Sequence, residues 1–167
     1  MNVTVSDLLS VDLAGYVQQL LELHLVPPSS LVIEVTEEAF MHEPERVRGT
    51  LLSLHKIGVE LSIDDFGTGY SSMAYLRSIP ADELKLDRTF MTGIASDAFD
   101  PSVVVATVGL AHSLGMRVVA EGVESPSDIE TLSDLGCDVA QGHFLSRPLS
   151  VAAFEEWLAA RSALSAL

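Results

Sequence analysis

Six places along the 167-residue chain set a polar or charged side chain at the end of a short apolar run: Asn2, Glu34, Asp64-Asp65, Lys85, Glu121 and Gln141. Asn2, Glu34, Asp64, Asp65 and Glu121 offer hard oxygen donors, with no His or Cys at metal-ligand spacing beside them. That donor set suits Mg²⁺ or Mn²⁺ rather than zinc. The adjacent Asp64 and Asp65 could reach two ions a few ångström apart, as in-line displacement at phosphorus requires. Without cations, clustered carboxylates would repel one another and some would keep their protons. Taken singly, each residue has an ordinary reading. Asp64-Asp65 before Phe66-Gly67-Thr68-Gly69 reads as an Asx-capped turn, Glu34 as a solvated strand end, Lys85 as a surface lysine, and Glu121-Gly122 and Gln141-Gly142 as plain turns. Taken together the ordinary reading weakens, because independent accidents would have to place them all at successive strand ends.

The elements that must position them repeat a simple grammar. HKIGVELSIDD (55–65), HSLGMRVVAEG (112–122) and SDLGCDVAQG (133–142) each run from the end of an amphipathic helix through a Gly into a short apolar strand. Gly58, Gly115 and Gly136 stand where a helix needs a left-handed residue to stop. Further strands are expected at Leu31–Thr36 and Leu84–Leu86, and the end of one at Asn2–Val5. Helices are expected over Val11–Leu25, Glu43–Ile57, Ser102–Leu114, Ser127–Leu135 and Val151–Arg161, with Asp100 and Ser125 as candidate caps. About six βα units imply a parallel sheet with right-handed crossovers. All strand C-terminal ends then share one face, where sites are built. The sheet could be open and doubly wound or rolled into a barrel. No GxGxxG follows a strand, which removes the main dinucleotide-binding cue for the open form.

Composition narrows the partners. The chain is 48% hydrophobic, enough for a packed core, and its 9 basic against 24 acidic residues give a net charge of −15. Such a surface opposes DNA, RNA polymers and anionic membranes, so an anionic ligand needs a cation as bridge. Val103–Ala111, the most apolar stretch, is too short to span a membrane, and the N-terminus has no signal-peptide pattern. A lone cysteine, Cys137, fits a reducing cytoplasm. Cys137, His143, Phe154 and Trp157 read as packing residues and the other histidines as helix or loop residues, with no shared spacing.

IEVTEE (33–38), LSIDDFGTGYSSMAYLRSIPADELKLDRTF (61–90), VVAEGVES (118–125) and CDVAQGHFLSRPL (137–149) together resemble the EAL-domain family of cyclic-di-GMP phosphodiesterases of bacterial signalling. The similarity runs from Asn2 to Trp157. It implies a TIM-like (β/α) barrel that hydrolyses one phosphodiester of cyclic-di-GMP to linear pGpG. It further implies a two-metal Mg²⁺ or Mn²⁺ site held by Asn2, Glu34, Asp64, Asp65 and Glu121. In that likeness Glu121 is a candidate general base, Lys85 holds water or phosphate, and Asp65 belongs to the catalytic set. Gln141 and Glu124 order the site or meet substrate, and Glu37 anchors the loop Phe66–Ser72, with Phe66, Gly67, Thr68 and Gly69 shaping the site.

The sequence also departs from the family pattern. The namesake Glu-Ala-Leu and its metal-ligating Glu are absent, since Glu38-Ala39-Phe40 lies beyond the Glu34 strand. Six units rather than eight imply an incomplete barrel, residues 1–167 forming one partial EAL domain from the third strand to the C-terminal helix. Complete barrels take about 250 residues. A second copy or a preceding N-terminal segment is expected to cover the exposed edges. The parent domain is expected to be the enzyme, with the isolated chain weak or inactive. The alternative is a non-catalytic EAL-like module that binds nucleotide or a protein.

Overall fold

A computed structural model of the protein describes residues 1–67, 76–96 and 98–164, without the side chains of 162–164. Five strands lie side by side in chain order, all parallel: β1 (Val32–Thr36), β2 (Glu60–Phe66), β3 (Glu83–Leu86), β4 (Arg117–Glu121) and β5 (Val139–Gln141). A sixth position lies beyond β1, where Asn2 forms a parallel bridge with Glu34. There the Glu34 N–H donates to Met1 O at 2.8 Å and the Val3 N–H to Glu34 O at 3.1 Å. The expected strand end over Asn2–Val5 is therefore shorter than its sequence suggests. Thr4 already caps a one-turn helix, α1 (Val5–Leu8), in a reciprocal box with Asp7.

The longer helices fall close to their expected places: α2 (Leu13–His24), α3 (Pro44–Lys56), α4 (Ser102–Ser113), α5 (Pro126–Asp134) and α6 (Val151–Leu164). Gly58, Gly115 and Gly136 take φ of 93°, 79° and 86° just past α3, α4 and α5, the left-handed stop that a Cβ would penalise. Ser125 caps α5 in a box with Asp128. Glu38-Ala39-Phe40 belongs to a 3₁₀ segment, Glu37–Met41. Among the described residues, no helix is long and apolar enough to cross a membrane.

Strand periodicity sorts the two faces of the sheet. Ile33, Val35, Leu61, Ile63, Leu84, Leu86, Val118 and Ala120 share one face and join Val47, Leu51, Leu54, Val104, Val108 and Ala111 of α3 and α4 in one apolar cluster. The alternate residues, Glu34, Ser62, Glu83, Lys85, Arg117 and Glu121, carry polar groups to the other face. Parallel sheets are normally covered on both faces. A sheet with helices on one face and polar side chains on the other has the form of a barrel wall, and its free edges leave that barrel incomplete.

Candidate functional site

The polar face carries charge at two levels. Near the strand starts, Arg117 Nη2 meets Glu60 Oε2 at 2.7 Å and Glu83 Oε2 at 3.4 Å, while Ser62 Oγ donates to Glu83 Oε1 at 2.9 Å. Near the strand ends sits Lys85. Its Nζ lies 2.6 Å from Glu121 Oε1, 3.1 Å from Glu34 Oε2 and 3.1 Å from Asp64 Oδ1. These carboxylates, from β1, β2 and β4, surround the ammonium, and Nζ donates a hydrogen bond to Glu34 Oε2. Lys85 is only 4% exposed. Burial opposes its charge, but its interactions with the carboxylates of Glu121, Glu34 and Asp64 outweigh that penalty and hold its pKa above the ordinary lysine value.

An extra residue in β2 bears on how two adjacent aspartates could serve one site. Ile63 pairs with Leu84, yet Phe66 pairs with Leu86, so β2 spends one residue more than β3 over the same step. In an unbroken strand Asp64 and Asp65 would point to opposite faces. The bulge, with Asp65 at φ 55°, breaks that alternation. Asp65 consequently feels the charges around it. Burial, then the neighbouring Asp64 and Asp87, push its carboxyl above the usual aspartate range.

The remaining expected site residues spread outward from this point. Asn2 is exposed at the sheet edge, in register with Glu34. Gln141 pairs with Glu121 at the end of β5 and is also exposed. Glu37 is buried, and its Oε2 accepts the Gly67 N–H at 3.2 Å, tying the 3₁₀ segment after β1 to the turn after β2. Phe66 ends β2. Thr68, Gly69 and the rest of the Phe66–Ser72 loop beyond Gly67 lie outside the described residues. Gly142 has a packing reason of its own, because a Cβ there would collide with the Val123 backbone N, C and O. The two turns are clasped by Val123 N–H to Gln141 O and Phe144 N–H to Val123 O, both 3.1 Å.

Several features were not singled out in the sequence. Arg88 follows β3 and, with Gly122, Glu124 and Ser125 of the turn after β4, lines a cavity of about 570 Å³. Asp87 acts on Asp65 through its charge. Their signal was available in Leu-Lys-Leu-Asp-Arg, where charged groups follow an apolar strand directly. His55 and His112 do share a spacing, each three residues before its helix-stopping Gly, and each faces an aspartate that precedes a strand. His112 Nε2 lies 2.8 Å from Asp138 Oδ2, and His55 Nδ1 lies 3.7 Å from Asp82 Oδ2. His143 is exposed rather than packed. Phe154 and Trp157 stack on each other at 5.9 Å between ring centroids and stay outside the core cluster. Cys137 packs against the core, with burial and then Asp138 pushing its thiol up to about 11.

The donor chemistry fits a divalent cation: carboxylate oxygens from β1, β2 and β4 meet at the strand ends without soft ligands. Among the described residues, no group of three or more His, Cys, Asp or Glu closes on a point of its own. The point of convergence is the Lys85 ammonium.

The family model for the EAL domain matches residues 1–148. The cyclic di-GMP phosphodiesterase NbdA of Pseudomonas aeruginosa is 43% identical over 159 residues, 95% of this chain but 20% of NbdA. The chain thus spans about one fifth of that relative's length. A structure of the MucR phosphodiesterase of the same organism in complex with c-di-GMP superposes with a TM-score of 0.84 at 40% identity, over 92% of this chain and 62% of the other. The manganese and c-di-GMP complex of Klebsiella pneumoniae BlrP1 gives a TM-score of 0.80 at 32% identity, over 89% of this chain and 38% of the other. With a family model covering most of its length and its strand-end residues gathered on one polar face, the chain belongs to the EAL domain family, whose fold is a TIM-like barrel.

Proposed function

We propose that this chain carries the catalytic face of a cytoplasmic cyclic-di-GMP phosphodiesterase domain, which opens one phosphodiester of the cyclic dinucleotide to give linear pGpG. The observation that carries the reading is the convergence of Glu34, Asp64 and Glu121 at the ends of parallel strands in a chain of this family. Asn2, Glu34, Asp64, Asp65 and Glu121 would hold two Mg²⁺ or Mn²⁺ ions. Bound there, the ions would offset phosphate charge and make water more acidic. Glu121 takes the proton of the attacking water, and Lys85, once it gives up a carboxylate, holds that water or the phosphate. Gln141, in register with Glu121, helps to order that water. Glu37 fixes the turn at Gly67 so that the bulged aspartates keep their place. The ligand's two phosphates could not approach these carboxylates without the ions, which makes the metal a requirement for binding as well as for chemistry.

Activity belongs to the longer parent domain, and residues 1–167 alone turn over weakly or not at all, the open edges being covered by a second copy or by further chain. Purified full-length protein with Mn²⁺ is expected to release pGpG from cyclic-di-GMP. Asp64→Asn should lower that rate by more than about a hundredfold, the upper range for losing even an indirect metal contact. Release that survives the substitution would reject the metal-assisted reading. Nucleotide binding without release from the full-length protein would favour the non-catalytic module.

A further inference from the structure

We infer that Lys85 is the resident cation of this site: its ammonium assembles Glu34, Asp64 and Glu121 before any metal arrives, and a divalent ion must take those oxygens from it. This rests on the divalent-cation reading proposed above. The geometry leaves little choice. Three carboxylates from three different strands lie within 3.1 Å of one buried ammonium, which donates a hydrogen bond to Glu34 Oε2 and pairs by charge with Asp64 and Glu121. A divalent ion that binds one of these oxygens draws a carboxylate away from Lys85, so ion entry and the release of Lys85 toward an anionic ligand are one event.

The choice of lysine supports this. The chain has seven arginines and only two lysines, Lys56 and Lys85, yet a lysine stands here. A compact ammonium can turn its three donors toward carboxylates on separate strands. A planar guanidinium prefers two oxygens of one carboxylate, and it would not yield them easily. The ammonium is also more strongly hydrated, which eases its exchange from protein oxygens to water. β3 presents it between Leu84 and Leu86, both fully buried, which anchors the backbone in the core and leaves the exchange to the end of the side chain.

The test compares the full chain with Lys85→Met, an unbranched side chain of similar length without charge. In chelator, Lys85→Met is expected to melt at a lower temperature than the wild type, because three carboxylates then face one another uncompensated. Titrated with Mn²⁺, it should bind at least about tenfold more tightly, since one competing positive charge about 3–4 Å from the ligands is gone. Saturating Mn²⁺ should then raise its Tm by more than it raises that of the wild type. An unchanged Tm in chelator overturns the assembling role, and equal or weaker Mn²⁺ affinity overturns the competition. Failure of both chains to bind Mn²⁺ would instead reject the divalent-cation reading, leaving the chelator comparison to judge assembly alone. Should Lys85→Met not fold, the wild type decides. With two lysines, the ε-methylene NMR signals assign readily, and Mg²⁺ should move that of Lys85 while Lys56 stays. A Lys85 signal unmoved at saturating Mg²⁺ overturns the proposal.

Discussion

Both ends of the sheet hold carboxylates, but they use them differently. At the N-terminal end, Asp82 Oδ2 accepts the Leu61 N–H at 2.9 Å and Asp138 Oδ2 accepts the Val118 N–H at 2.8 Å. Glu83 takes Ser62 Oγ, and Arg117 spans Glu60 and Glu83. Each acid there satisfies a group that the fold would otherwise leave unpaired, at the start of a strand or between strands. At the C-terminal end, Glu34, Asp64 and Glu121 share one ammonium, and Asp65 is kept beside Asp64 by a bulge. The first arrangement spends charge on fixing the backbone. The second gathers more negative charge than it balances, which a stable fold does not need and a cation site does. The same division holds across barrels, where the strand starts serve stability and the strand ends serve chemistry.

Substitutions should break the two ends in different ways. The largest effect on folding is expected at Gly142, whose Cβ has no room against the Val123 backbone. Gly142→Ala should cost about 3 kcal/mol by chemical denaturation and should disturb the site too, because the same contact joins the turns after β4 and β5. A smaller loss follows Asp138→Asn, about 1 kcal/mol for weakening a charge-assisted bond to the Val118 N–H near the start of β4, with metal binding unaltered. This loss has a defined pH dependence. The Val118 N–H and then His112 hold the Asp138 carboxyl below its ordinary 3.8, so its contribution is complete above that value. It fades as pH falls through the lowered folded value. Stability curves of wild type and Asp138→Asn should therefore run apart at neutral pH and converge in acid; a constant gap would refute the assignment. The smallest effect is expected for Arg117→Met. Its half-exposed pairs should yield under about 1 kcal/mol, in contrast to Lys85→Met, where the same loss of one charge strikes a buried cluster.

Much of this division could be read in the sequence, and the unread part has physical reasons. Three glycines at helix stops and the apolar runs after them mark α3, α4 and α5 and the strands that follow, because left-handed backbone and burial both select residue types locally. Polar residues at the ends of those runs likewise marked Glu34, Asp64, Asp65 and Glu121 as a group. The bulge was hidden, since adjacent aspartates look the same whether or not the partner strand skips a residue. The central place of Lys85 was hidden for a related reason: it depends on β1 and β4, two strands on opposite sides of β3, and no local pattern joins them. Its trace in the sequence is a lysine between two leucines of a strand, a charge the fold buries only when it has partners. The bridge at Asn2 was over-read because a single pairing and a full strand share the same residues until Thr4 turns the chain into α1.

The extra residue in β2 has a consequence for how this chain could change. Remove one residue between Ile63 and Phe66 and the ladder with β3 would become regular, with a positive φ at a non-glycine position relieved, a strain of about 1 kcal/mol. The sheet would be tidier and the site would lose a carboxylate. Selection for folding alone would favour the shorter strand, and the proposed site would account for its present length. A descendant released from that demand would betray itself first by a one-residue deletion at this spot, before any of the buried leucines drifted.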